Sequence, residues 1–195
     1  MFASEGSPEG PILGIDPGLS RCGYGAVIGP ASQLRAVAYG VLRTDPQWPL
    51  PERLAALEAD LESLVRELTP SAVAVERVLF QVNARTAISV GQASGLALAV
   101  AARAGLPVVQ YSPNEVKLAV TGDGAADKLA VQTMVTRLLD LASTPKPPDA
   151  ADALALALCH SWRARFDRER DAHPAAAASS RLQAAINRAQ QKAER

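Results

Sequence analysis

The chain alternates between short apolar runs and longer stretches in which apolar residues return every three or four positions. Ile12–Asp16, Gly23–Ile28 and Leu34–Arg43 lack a helical period and are joined by tight turns, which predicts three strands in an antiparallel meander. From Pro51 to Leu68 the positions Leu54, Leu57, Leu61, Leu64, Val65 and Leu68 follow helical spacing. Glu62 and Arg66 sit on the other face in the favourable i,i+4 order, and Thr69-Pro70 stops the helix. Ala72–Glu76 has no polar face and reads as a strand in the middle of a sheet. A long helix rich in small residues is expected over 84–104, a strand over 107–110, and helices over 113–120 and 126–141. Pro145 to Pro148 breaks the chain before a last helix, from near Asp149 to about Arg165.

This order predicts an α/β fold, a mixed five-stranded sheet flanked by helices on both faces. Residues 1–11 read as a flexible N-terminal tail and 12–166 as a single domain. Residues 167–195 are charged and alanine-rich without a continuous apolar face, and are expected to be a tail, disordered or partly helical.

Composition narrows the picture. A 195-residue chain that is 48% hydrophobic can build one sizeable core, and with only 4% aromatic residues that core must be aliphatic. Twenty basic and twenty acidic residues cancel, which argues against a nonspecific DNA coat but leaves room for a local basic groove. Two cysteines in unrelated contexts fit a reducing compartment. The first ten residues have no signal-peptide pattern, and the longest apolar stretch, Leu96 to Ala102, stops at Arg103, so a cytoplasmic protein is expected.

Four acids stand out by position: Asp16, Glu76, Asp149 and Asp152. Each has a plain explanation: a Pro-Gly turn at Asp16, an arginine pair at Glu76, helix capping at Asp149 and Asp152. Together they say more. Asp16 and Glu76 each end an apolar run and would emerge side by side at the carboxyl ends of central parallel strands, where open α/β sheets place their sites. Asp149 and Asp152, three apart, share one face of a helix start. Four converging carboxylates repel unless cations are present, and hard Mg²⁺ or Mn²⁺ ions suit oxygen ligands. Two such ions about 4 Å apart can hold a scissile phosphate and activate water.

From Arg77 to Asn114 there is no Asp or Glu, while Arg77, Arg85 and Arg103 occur, with Lys117 and Lys128 beyond. This reads as a basic band for phosphate contacts; the plainer alternative is a solvated helix face. Leu79-Phe80-Gln81-Val82-Asn83 follows the second acid, and its apolar residues either wedge between bases or plug the core. In the 84–104 helix, Gly91, Ala93, Ser94, Gly95, Ala97 and Ala99 suit close helix packing, against the chain's own sheet or a second copy. His160 is expected in packing or at the surface and His173 in the tail, neither with catalytic partners, and both cysteines are expected to be inert.

GIDPG (14–18) with GYG (23–25), VERV (75–78), N-x-x-x-A (83–87), VGQASG (90–95), VK (116–117), DK (127–128) and PDAADALA (148–155) resemble the RuvC family of Holliday-junction resolvases, of the RNase H-like fold. The resemblance runs from about residue 12 to 163. It implies that Asp16, Glu76, Asp149 and Asp152 are catalytic acids holding two Mg²⁺ or Mn²⁺ ions. It places Lys117 and Lys128 against DNA near the cut, and Arg77, Leu79, Phe80, Asn83 and Arg85 complete the expected DNA-contacting set. The family usually has an aromatic where Leu79 stands, so Phe80 or Leu79 would act as the wedge. It also implies a homodimer that nicks two strands of a four-way junction symmetrically, leaving 5′-phosphate and 3′-hydroxyl ends, and association with a RuvA-RuvB branch-migration complex. Three other readings are open to the residues. A sugar-kinase-like phosphate cradle at Asp16–Gly18 would need a second lobe, for which the chain is too short. A smaller RNase H-like nuclease trimming structured RNA keeps the acids and changes the substrate. A junction-binding module keeps the substrate and makes the acids structural.

Overall fold

The expected strands form one sheet: β1 (Ile12–Asp16), β2 (Arg21–Ile28), β3 (Arg35–Arg43), β4 (Ala72–Glu76) and β5 (Val108–Tyr111), in the order β3-β2-β1-β4-β5. β1 pairs antiparallel with β2, and β2 with β3, whereas β1–β4 and β4–β5 are parallel. The sheet is therefore mixed, with the two all-apolar strands at or next to its centre. The helices are α1 (Leu50–Leu68), α2 (Ala84–Arg103), α3 (Pro113–Thr121), α4 (Lys128–Leu138) and α5 (Pro148–Ala172). The structure is a computed structural model that describes residues 10–78 and 84–172, without the side chains of 84–86 and 165–172. Leu79, Phe80, Asn83, the side chain of Arg85, residues 1–9 and residues 173–195, with His173, lie outside the described residues, and α5 runs past the expected end near Arg165 into the first residues of the expected tail. The chain divides into two compact units after Ser161. The first holds the sheet and its helices, and the described part of the second, 162–172, is helical. Among the described residues no helix is long and apolar enough to cross a membrane.

Local chemistry sets the boundaries. α1 ends where Thr69 turns left-handed and returns its N–H to the Val65 carbonyl, with Pro70 next. α3 opens with a full capping box: Ser112 accepts from the Glu115 amide while the Glu115 carboxylate accepts from the Ser112 amide. α4 begins two residues later than the hydrophobic pattern suggests, because the Asp127 carboxylate accepts the Ala130 N–H at 2.7 Å and caps it there.

The two faces of the sheet differ. Alternation puts Leu13 and Ile15 of β1 and Val73 and Val75 of β4 on one face, packed with Leu57, Leu61 and Leu64 of α1 and Ala93, Ala97, Val100 and Ala101 of α2. That side is an aliphatic core. The other face carries Gly14 and Asp16 of β1, Gly23 and Gly25 of β2, and Ala74 and Glu76 of β4. α5 lies on it almost backbone to backbone. A Cβ on Gly14 would stand 2.0 Å from the Ala153 carbonyl oxygen, on Gly23 2.1 Å from that of Asp149, and on Gly25 2.7 Å from the Leu154 amide. The glycines thus clear a track for α5, whose residues Ala153 to Cys159 are all buried.

Candidate active site

Asp16 and Glu76 are brought together by register. Ile15 lies level with Val75 in the parallel β1–β4 pair, so the next residue of each strand leaves the sheet at the same height and on the same face. Their carboxyls hydrogen-bond each other. Burial, then the neighbouring Glu76, Asp152 and Asp149, push Asp16 up to about 8. Burial and Asp152 also raise Glu76, against the opposing effect of its bond to Asp16. With no cation to compensate it, Asp16 therefore keeps its proton at neutral pH and shares it with Glu76.

The glycine track delivers the other two acids. Gly23 stands opposite Asp16 in the β1–β2 ladder, and its missing side chain is the space taken by the Asp149 backbone. Asp149 is not the N-cap expected from the Pro-Pro sequence, since α5 already starts at Pro148. Its Oδ2 is buried and accepts no hydrogen bond; Arg21 Nε, at 3.7 Å, is beyond hydrogen-bond reach. Asp152, one turn on, pairs with Lys128 Nζ at 2.7 Å. Burial opposes the Lys128 charge, but Asp152, Asp16 and Asp149 hold the ammonium above its ordinary value.

An orphaned buried carboxylate oxygen, two acids sharing a proton, and a donor set made only of carboxylates fit a hard divalent cation. As they stand, no three acidic, histidine or cysteine side chains among the described residues close tightly enough to ligate one ion. Lys128 holds Asp152, Arg21 leans on Asp149, and Asp16 and Glu76 hold each other.

The basic band is only partly assembled. Lys128 reaches the acids. Arg77, just past Glu76, is exposed and donates from Nη2 to the Gln110 carbonyl at 3.1 Å. Lys117 lies half-buried on α3 and forms no ion pair with the four acids. Arg103 leaves the band altogether, because it is paired with Glu58 and Glu62 of α1. In α2, Ala93, Ser94 and Ala97 are buried in the chain's own core rather than presented to a second copy. Gly91 and Gly95 face open space, in line with Ile88, which is 63% exposed. His160 is buried and bonded through Nδ1 to the Tyr111 hydroxyl at 2.9 Å. Burial pushes the Cys22 thiol up to about 12, too high for a nucleophile. Arg21 was not singled out by the sequence; its signal was a cation following the GIDPG turn, two positions before the glycine that faces Asp16.

Comparisons with known proteins agree with this geometry. The chain is 57% identical over 153 residues to the crossover junction endodeoxyribonuclease RuvC of Salinispora arenicola, covering 78% of this chain and 87% of that one. It is 51% identical over 170 residues to the Frankia alni protein of the same description, covering 86% of each. Among solved structures, Thermus thermophilus RuvC in complex with a Holliday junction substrate aligns with a TM-score of 0.77 and 39% identity, over 82% of this chain and 97% of that one. The yeast mitochondrial Holliday junction resolvase Ydc2, at 19% identity and a TM-score of 0.59, shares the fold, over 84% of this chain and 85% of that one. A family model described as crossover junction endodeoxyribonuclease RuvC matches residues 12–160, and this chain belongs to that family.

Proposed function

We propose that this chain resolves four-way DNA junctions as a metal-dependent endonuclease, hydrolysing a phosphodiester bond in each of two opposed strands to leave 5′-phosphate and 3′-hydroxyl ends. One observation supports the reading above the others: the convergence of Asp16, Glu76, Asp149 and Asp152 where β1, β4 and α5 meet. Mg²⁺ or Mn²⁺ ions, two per site for four carboxylates, would supply Lewis-acid polarisation of the phosphate and a water activated for attack.

The protein's own residues do the remainder. Asp16 and Glu76 must give up their shared proton to present two full charges. Asp149, held by the α5 backbone against Gly23, presents an oxygen with no competing donor. Asp152 holds Lys128 at the mouth of the cluster, where its ammonium can contact the phosphate next to the cut and offset the charge of the departing strand. Arg77 and Lys117 add charge on the β4 and α3 sides, and Leu79, Phe80, Asn83 and Arg85 belong to the same DNA-facing set.

Paired nicks at a two-fold symmetric junction call for two sites at fixed separation, hence a homodimer. The outward line Ile88–Gly91–Gly95 of α2 is the surface that fits it. A cytoplasmic location and cooperation with a RuvA-RuvB branch-migration complex belong to the same proposal. The test is incubation of a synthetic four-way junction, a linear duplex and a structured RNA with the chain and Mg²⁺. Cutting of the junction in opposed strands is expected; an intact junction, or equal cutting of the other two, would sink the proposal.

A further inference from the structure

On the β3 side of the acid cluster lie two arginines that neither the sequence motifs nor the reaction uses. Arg21 opens β2 and Arg43 closes β3, and the two are direct cross-strand partners. Both are exposed, and they share the face of the sheet that carries Gly23, the residue opposite Asp16. Like charges placed directly across an antiparallel ladder repel. Among the described residues Arg43 has no ion-pair partner, and Arg21 has only Asp149 at 3.7 Å, so the donors of both are available. The nearest acid in sequence to Arg43, Asp45, accepts from the Gln47 amide with Oδ1.

This end of the hairpin is also braced. Arg53 reaches from α1 to donate to Ser20 Oγ at 2.6 Å and to Thr44 Oγ1 at 3.0 Å, and Thr44 Oγ1 donates in turn to the buried Leu19 carbonyl at 2.6 Å. Ser20 and Thr44 are the chain neighbours of Arg21 and Arg43, so the backbone beneath both arginines is fixed. A repelling pair on a rigid base, open to solvent, is a preformed site for an anion. Arg21 lies two residues along β2 from the level of Asp16, about 7 Å, a distance of the order of one backbone step of DNA.

We propose that Arg21 and Arg43 form a phosphate clamp that seats the cut strand about one nucleotide from the scissile bond, across the acid cluster from Lys128. The clamp rests on the reading of this chain as a junction nuclease, and the experiment separates the two. Junction affinity is measured against salt concentration without divalent cation, where no strand is cut, and cutting is measured separately in Mg²⁺. Arg43→Ala is expected to weaken binding about tenfold and to lower the slope of log affinity against log salt by about 1 per protomer. Arg43→Glu is expected to weaken it further. Both variants should melt at or above the wild-type temperature, since each relieves the repulsion with Arg21, and Glu adds a cross-strand attraction. Unchanged affinity and slope in both variants, with a wild type that binds and cuts junctions, would overturn the clamp alone. A lower melting temperature accompanying weaker binding would make Arg43 structural and also overturn it. A wild type that neither binds nor cuts junctions removes the nuclease reading and the clamp together.

Discussion

The two faces of the sheet use opposite packing strategies. Towards α1 and α2, the strands present Leu13, Ile15, Val73 and Val75, and large side chains fill the gap. Towards α5 they present Gly14, Gly23, Gly25 and Ala74, and backbone rests on backbone. Side-chain packing tolerates small shifts because rotamers adjust; contact through glycine does not, because nothing between the two backbones can move. The first face therefore holds the larger strand side chains of the core. The second fixes the height of α5, and so of Asp149 and Asp152, against Asp16.

Substitutions that treat the faces differently test this division. The largest effect is expected at the chemistry itself. Asp16→Asn should reduce junction cutting by at least about a thousandfold while preserving junction binding, measured by gel shift and strand nicking. On the α5 face, Gly14→Ala should lift α5 and separate the acids. A drop in cutting of about a hundredfold is expected, with about 3 kcal/mol or less lost in denaturant unfolding. Leu57→Ala on the opposite face should reverse the balance, costing about 2–5 kcal/mol with cutting per folded molecule nearly unchanged. If Gly14→Ala and Leu57→Ala lowered cutting and stability in the same proportion, the division of labour would be wrong.

The pH response sharpens the same contrast. Asp16 titrates at about 8 in the folded, cation-free protein against an ordinary 3.8, so the folded state binds more protons between these values. Its contribution is then fully present below the ordinary value and is lost as pH rises towards 8. Melting temperature without divalent cation should fall across that window, and Asp16→Asn should flatten the fall. Divalent cations compete with the shared proton, so calorimetric titration at pH 7 should record proton release. The smallest effect is expected at Arg103→Ala, which removes only solvent-exposed pairs on α1 and should leave cutting and melting temperature near wild type.

The four acids stood out in the sequence because two end apolar runs and two share a helix face; their convergence followed only once the runs were placed as neighbouring parallel strands of an α/β sheet. The strands of the sheet were readable for the same reason. The role of the glycines was not. Pro17-Gly18 reads as a turn, and there the glycine is needed locally, since a Cβ on Gly18 would sit 2.2 Å from the Arg21 carbonyl oxygen. Gly14 belongs instead to a helix 139 residues further along, a contact with no local signature. Arg103 joined the expected basic band by sequence proximity, and lost its place because α1 presents Glu58 and Glu62 to it. Proximity in sequence says nothing about which side of a helix meets another element's charges. Arg21 and Arg43 carry no signal of their pairing in the sequence for the complementary reason: they become neighbours only through the β2–β3 register.

The long-range contact between Gly14 and α5 also governs when the enzyme can exist during its own synthesis. Asp16 and Glu76 emerge early, but Asp149 comes 73 residues after Glu76. At about 5–20 residues per second of elongation, that is roughly 4–15 s during which the chain holds half its acids and no α5. A nascent or truncated product lacking α5 has no third or fourth carboxylate, and its Gly14–Gly23–Gly25 track lies bare. Competence to break DNA arrives with one of the last segments of the sheet-bearing unit to be made.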